Sequence, residues 1–326
     1  MNDYQKKKTV DISVLVPISE RFDDLEHLIE SHHNILKNKG INHEFIFILD
    51  GNFPTAEETL EKINTNAQYK RIVKIIKFNR SFGEAKAIAT GFSKSTGERI
   101  LTLASYIQVR PEEIEKLLQH FTDDVDVVFG SRYPRKDNLI NQIQSRIFHG
   151  IINRLTDESF HDISCGVRLM RREVMQKIPL YGDLHRFIPL LAVYNGFQVK
   201  EIPLQQAEED IHLRVYQPGV YIRRILDILT LFFLIKFTRK PLRFFGLLGC
   251  SLGAIGLVIS TITVFQRVFA STSLSERPLF LIGIMFLLIG LQTFFIGLVG
   301  EIIIFSHQPN EPQYNIEEIV HHTKQQ

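Results

Sequence analysis

The chain has 326 residues, with 38 Lys and Arg against 36 Asp and Glu and a formal net charge of +2. That length gives room for one sizeable α/β domain and an added module, and the near balance of acids and bases argues against a nucleic-acid partner. Cys165 and Cys250 are the only cysteines, which rules out a disulfide framework and suits a reducing compartment.

Residues 1–10 form a polar, lysine-rich tail without the apolar core of a secretory signal, so the domain that follows is expected to stay in the cytoplasm. Asp11-Ile-Ser-Val-Leu-Val-Pro17 reads as a buried strand, rich in β-branched residues and closed by proline. Phe22, Leu25, Leu28 and Ile29 then fall at helical spacing. Glu44–Asp50 is a second apolar strand, closed by Gly51 and Asn52, and Arg71–Phe78 is a third. An alanine-rich helix is expected over Glu84–Phe92, a fourth strand over Arg99–Leu103, a helix over Glu112–Phe121 and a fifth strand over Val125–Phe129. Strand and helix alternate, and strands apolar on both faces belong to a sheet covered by helices, so the class is doubly wound α/β with a mostly parallel sheet.

Ligands of such sheets bind beyond the carboxyl ends of the strands, where Pro17, Asp50, Ala104 and Gly130 fall. The first strand is not followed by a Gly-rich phosphate fingerprint, which disfavours a dinucleotide oxidoreductase.

The composition changes after residue 243. Phe244–Phe265 and Leu279–Gly300 each run 22 residues without a formal charge, enough to cross a bilayer as helices. The expected organisation is a domain over residues 11–215, an amphipathic juxtamembrane helix over 216–243, transmembrane helices over 244–265 and 279–304, a short loop over 266–278 and a tail over 305–326. Arg223, Arg224, Lys236, Arg239, Lys240 and Arg243 precede the first span, so the positive-inside rule puts the domain and tail in the cytoplasm and the loop outside. Glycines at small-residue spacing, Gly246, Gly249, Gly253 and Gly256 in the first span and Gly283, Gly290, Gly297 and Gly300 in the second, suit close packing within the hairpin or between protomers, so a homo-oligomer is left open. Glu301, at the end of the second span, is expected at the headgroups or beside an arginine.

Several short motifs stand in a suggestive order: Val14-Leu-Val-Pro17, Ile48-Leu-Asp-Gly-Asn52, Arg80-Ser-Phe-Gly83 through Gly91, Gly130-Ser-Arg132, and Asp162-Ile-Ser-Cys-Gly-Val-Arg168 followed by Arg171-Arg172. Together they resemble the family 2 inverting glycosyltransferases, and among them the dolichyl- or polyprenyl-phosphate sugar transferases with a membrane-anchored C-terminus. The resemblance implies a GT-A-like nucleotide-diphospho-sugar transferase fold. It also implies transfer of a hexosyl group from a nucleotide-sugar donor to a polyprenyl-phosphate lipid at the cytoplasmic face of the bilayer, in the making of an envelope glycan.

Carried over residue by residue, the resemblance implies that Pro17, Asp50, Asn52 and Gly83 border the donor nucleotide and that Gln108 lies near the donor diphosphate. Arg132 and Arg168 are then expected on phosphates and Asp162 in the catalytic loop; Tyr221 is kept, with Gly219, from the family's stretch before the membrane, which otherwise departs from the pattern, and Arg171, Arg172 and Arg214 are further candidates for the lipid phosphate because guanidinium forks suit its oxygens. Simpler readings stand beside these: Asp50-Gly51 also makes a turn, Asp183 also caps a helix, and His185 is as well a structural residue as an acceptor contact. His32-His33 and His321-His322 are neighbours in sequence that point apart on a helix and do not make a metal pair.

One departure from the family pattern matters most. The Asp-X-Asp motif, whose carboxylates hold Mg²⁺ or Mn²⁺ against the donor diphosphate, falls on Leu103-Ala-Ser-Tyr-Ile-Gln108, with Ala104 and Tyr106 in place of both acids. Hard cations prefer carboxylate oxygens, so this site has lost its usual ligands. Either the leaving diphosphate is stabilised by other groups, with Tyr106 among them, or the protein is a silent membrane adaptor that binds lipid phosphate or a partner enzyme.

Overall fold

The computed structural model describes residues 10–156, 159–211, 219, 226, 229–230, 241–270 and 278–306. The chain divides into two compact units, an α/β unit and a helical one.

The α/β unit is built on one seven-stranded sheet in the order β3-β2-β1-β4-β6-β5-β7. Its strands are β1 (Ile12–Ile18), β2 (His43–Leu49), β3 (Val73–Lys77), β4 (Arg99–Thr102), β5 (Val127–Arg132), β6 (Arg168–Arg171) and β7 (Val199–Leu204). All neighbours run parallel except around β6, which is antiparallel to both β4 and β5. β1 and β2 are buried along their entire length, as strands covered on both faces must be. Helices α1 (Leu25–Asn38), α2 (Pro54–Thr65), α3 (Glu84–Lys94), α4 (Ile114–His120), α5 (Leu139–Thr156), α6 (Arg172–Lys177) and α7 (Ile188–Tyr194) connect the strands. The doubly wound, mostly parallel sheet agrees with the sequence expectation.

A polar network ties the amino ends of the strands together. Ser13 donates to the Glu44 carboxylate at 2.6 Å, the Gly97 amide donates to the Ser13 hydroxyl at 2.8 Å, and Lys74 pairs with Glu44 at 2.7 Å. Burial by itself would raise the Glu44 carboxyl, but the bonds from Lys74, Ser13 and Thr96 hold it below its ordinary range. A side chain at position 97 would meet the Ser13 amide at 2.6 Å, so only glycine fits there. With its polar groups paired, this end of the sheet leaves the carboxyl ends of the strands for a site.

Three boundaries differ from expectation. β4 stops at Thr102 rather than Leu103, which frees Leu103–Gln108 as a loop. The helix expected from Glu112 opens as a 3-10 turn, Pro111–Glu113, and becomes α-helical at Ile114. β5 begins two residues later than expected and runs on to Arg132, placing that arginine at the strand's carboxyl end.

In the helical unit, α8 (Pro241–Ala270) and α9 (Pro278–Ser306) contain both apolar segments, and each is long and apolar enough to cross a membrane. A run of 26 residues spans roughly 40 Å at helical rise. Glycines let the two backbones touch: a side chain at Gly256 would meet the Gly283 carbonyl at 2.6 Å, and one at Gly249 would meet the Gly290 carbonyl at 2.6 Å. The small residues therefore serve packing within the hairpin. Glu301 accepts from the Leu242 amide at 3.3 Å, satisfying one of the donors that the first turn of α8 leaves open.

Candidate active site

A cleft of about 380 Å³ opens at the carboxyl ends of β1 and β4, walled on its far side by the start of α3, the 3-10 turn Leu184–Phe187 and one face of α5. Among the described residues, five arginines line it, Arg21, Arg132, Arg135, Arg168 and Arg186, against two carboxylates, Glu20 and Glu84.

The loop after β4 forms one wall. The Gln108 amide nitrogen donates to the Tyr106 hydroxyl at 3.0 Å, and its oxygen accepts from the Gly166 amide at 2.7 Å. A side chain at position 166 would lie 3.0 Å from that oxygen, so the glycine permits the contact. Thr102 donates to the Gly166 carbonyl at 2.7 Å, and the Leu103–Gln108 loop is thereby fastened to the Asp162–Arg168 segment from two sides. Burial, with the nearby Asp210 charge, pushes the Tyr106 phenol up to about 12, so the hydroxyl keeps its proton.

Arg21, three residues past the end of β1, reaches this loop. Its guanidinium lies over the Tyr106 ring, 4.2 Å from the centroid, and is held by Asp23 and by the Glu209 carbonyl, the latter at 2.8 Å. The Ser105 hydroxyl donates to the Arg21 carbonyl. A fixed cation therefore stands beside the slot of the missing acids.

Arg132, at the end of β5, is buried and fully engaged. Nε and Nη2 bind the two Asp162 oxygens at 2.6 and 2.9 Å, and Nη1 reaches Asp210 at 3.1 Å. Burial would raise the Asp162 carboxyl, yet the charge and bonds of Arg132 hold it far below the ordinary range. Asp210 has longer contacts and Asp137 near it, and burial leaves its carboxyl raised.

Arg168 differs. It is buried at the start of β6 and donates to the backbone carbonyls of His185 at 2.6 Å and Ile163 at 3.0 Å. Its Nε has no hydrogen-bond partner among the described residues, and the same holds for His185 Nδ1. Burial pulls the Arg168 guanidinium down to about 10, which still leaves it charged at neutral pH. His185 Nε2 lies 3.3 Å from Glu84; burial would raise that carboxyl, but the His185 bond and the Arg168 and Arg186 charges lower it. A buried arginine bonded to carbonyl dipoles calls for an anion to complete its shell.

Of the residues singled out from sequence, Pro17, Tyr106, Gln108, Arg132 and Arg168 line this cleft, and Asp162 reaches it through Arg132. Asp50 is buried under the next loop, accepting from the Ser81 hydroxyl and the Phe82 and Gly83 amides at 2.6–2.9 Å. Gly83 takes a φ of +93° that favours glycine, and Asn52 is exposed beside it. Asp183 precedes the 3-10 turn without a side-chain cap bond. Arg214 and Tyr221 lie outside the described residues, as do most of residues 216–243. Arg21, Glu84 and Arg135 carried no sequence signal beyond nearness to a strand end or helix start.

The residues do not fit the divalent cation of the family pattern. Ala104 and Tyr106 offer it no carboxylate, and among the described residues no three His, Cys, Asp or Glu side chains are placed so as to hold a metal ion.

With this sheet order and this cleft, the chain belongs to glycosyl transferase family 2, whose model matches residues 13–179. It is a glycosyltransferase-type protein with a GT-A-like fold. Among solved structures it is similar to mannosyl-3-phosphoglycerate synthase from Rubrobacter xylanophilus, with a TM-score of 0.52 and 12% identity over 67% of this chain and 72% of that one. Glucosyl-3-phosphoglycerate synthase from Mycobacterium tuberculosis, in complex with phosphoglyceric acid, is similar with a TM-score of 0.51 and 12% identity, covering 68% and 79% of the two chains. At such identities the likeness is one of fold.

Proposed function

We propose that this protein is an inverting hexosyltransferase that moves a sugar from a nucleotide donor to a polyprenyl phosphate at the cytoplasmic face of a membrane, without a divalent metal. The observation that carries the reading is the position of Arg21 over Tyr106, a permanent cation and a protonated phenol in the slot of the missing acids. The two apolar helices support a lipid acceptor.

In the transfer, an acceptor phosphate oxygen attacks the anomeric carbon while the bond from that carbon to the donor's diphosphate oxygen breaks. The acceptor is already ionised near neutral pH, so no side chain has to remove a proton from it. Charge develops on the leaving diphosphate, and preorganised donors stabilise it there. The Tyr106 hydroxyl accepts from Gln108, which leaves its own proton to point at a diphosphate oxygen. Arg21 adds positive charge beside it. Arg168, which lines the cleft and whose buried Nε has no partner among the described residues, holds a phosphate, whereas Arg132 and Asp162 act by fixing the walls between which it sits. Asp50 shapes the Ser81–Gly83 loop at the proposed nucleotide end, and Asn52 stands free to meet the nucleotide.

Calorimetry with a panel of nucleotide sugars, in EDTA and in Mg²⁺, tests the donor half of this reading. Binding of one donor with similar affinity in both conditions is expected; absence of binding to every donor contradicts it.

A further inference from the structure

Helix α5 has two unlike faces. One turns inward, where Ser145 and Phe148 line the cleft and His149 is buried. The other carries Leu139, Ile140, Ile143 and Ile147, which are 73%, 53%, 55% and 59% exposed. At about 100° per residue these four positions fall within a sector of roughly 100°, so they form a single stripe. Isolated exposed apolar residues are ordinary, but a contiguous stripe of large aliphatic side chains marks a contact surface.

The charge on the helix says what it contacts. Its sequence contains no Asp or Glu, and the exposed Arg146 and Arg154 lie at the border and far end of the stripe, with Lys136 exposed just before it. An apolar stripe edged by cations is the pattern of a helix lying in the interface of an anionic bilayer. A second copy of the chain would set this positive helix against itself. The chain also has two helices apolar enough to span a membrane, so a bilayer stays within reach of the tethered domain.

We propose that α5 is a membrane-docking element: its Leu139–Ile147 stripe enters the headgroup boundary of an anionic bilayer, and its inner face presents the cleft to lipid in that bilayer. The docking rests on the helix itself. Only the consequence for a lipid acceptor rests on the function proposed above.

The chain has no tryptophan, so a single introduced indole reports its own surroundings. The full-length Ile143→Trp variant is reconstituted in vesicles of phosphatidylcholine and phosphatidylglycerol, with and without bromine on the acyl chains. Glu61→Trp, on the exposed face of α2, serves as the reference. Ile143→Trp is expected to emit at shorter wavelength and lose most of its emission to brominated lipid, while Glu61→Trp keeps its emission. Blue-shifted but unquenched emission would mean that protein covers the stripe, and red-shifted unquenched emission would mean that it faces water; either result overturns the proposal. Quenching in a protein that transfers no sugar to polyprenyl phosphate would leave the docking intact and remove the acceptor reading instead.

Discussion

The Arg21 guanidinium stands 4.2 Å from the centre of the Tyr106 ring, beside the two positions where the resemblance expects metal-binding carboxylates. The family pattern would gather two negative charges there to hold a dication; this chain places one cation and one neutral donor. Under the proposed transfer, both arrangements put positive charge where the diphosphate departs.

Tyr106→Phe removes the proposed donor together with the acceptor of the Gln108 bond, and Arg21→Gln removes the cation together with its bonds to Asp23 and Glu209. Each is expected to lower kcat by about 10²–10³ with little change in melting temperature, the usual cost of losing a transition-state donor. Arg21→Lys is expected to rescue poorly, because an ammonium cannot stack on the ring as the planar guanidinium does. Steady-state kinetics on the three variants check this, and a loss confined to KM would assign both groups to ground-state binding.

Breaking the Arg132 cluster should act on stability. Asp162→Ala leaves a buried guanidinium without its two shortest bonds, and the expected cost is about 3–5 kcal/mol. Asp210→Asn, at longer range and with a carboxyl already raised, should cost less. Denaturant titration in detergent compares the two.

Acid should weaken the α/β unit before the carboxylates titrate. Burial pulls His32 down to about 4, and His33 and His43 are lowered as well, first by burial. Unfolded histidines take up protons near pH 6.5, so between there and about pH 4 the unfolded state binds more protons than the folded one. Stability must then fall as pH falls through that window. His32→Gln is expected to flatten the fall in melting temperature between pH 7 and pH 5; an unchanged slope would assign the acid sensitivity elsewhere.

Within the helical unit, a methyl group at Gly290 would meet the Gly249 carbonyl at 2.6 Å, whereas one at Gly253 meets nothing within 4 Å. Gly290→Ala is therefore expected to destabilise the hairpin by about 1–3 kcal/mol, and Gly253→Ala to be nearly neutral. Thermal unfolding in detergent distinguishes them.

The parts of the fold that could be read from sequence were those with strong local patterning. Continuous apolar runs marked β1 and β2, and two long uncharged stretches marked α8 and α9. β6 was hidden, because Arg-Leu-Met-Arg has neither length nor alternation and its reversed direction is a matter of topology. Arg132 and Asp162 stood out within separate motifs, but their pairing comes from the sheet that brings β5 beside the Asp162–Arg168 segment. Arg21 gave no sign at all, since a lone arginine after a strand means nothing until Tyr106 is seen beneath it. The same applies to α5, whose stripe becomes visible only once its inner face is known.

The proposed reaction is transfer to a lipid phosphate without metal. Its most direct test is turnover by the purified full-length protein in detergent, offered nucleotide sugars and polyprenyl phosphate in EDTA and in Mg²⁺. The expected result is a sugar-linked lipid formed at comparable rates in both conditions and lost in Tyr106→Phe. Product that appears only with Mg²⁺, or no product in either condition from folded protein, would contradict it.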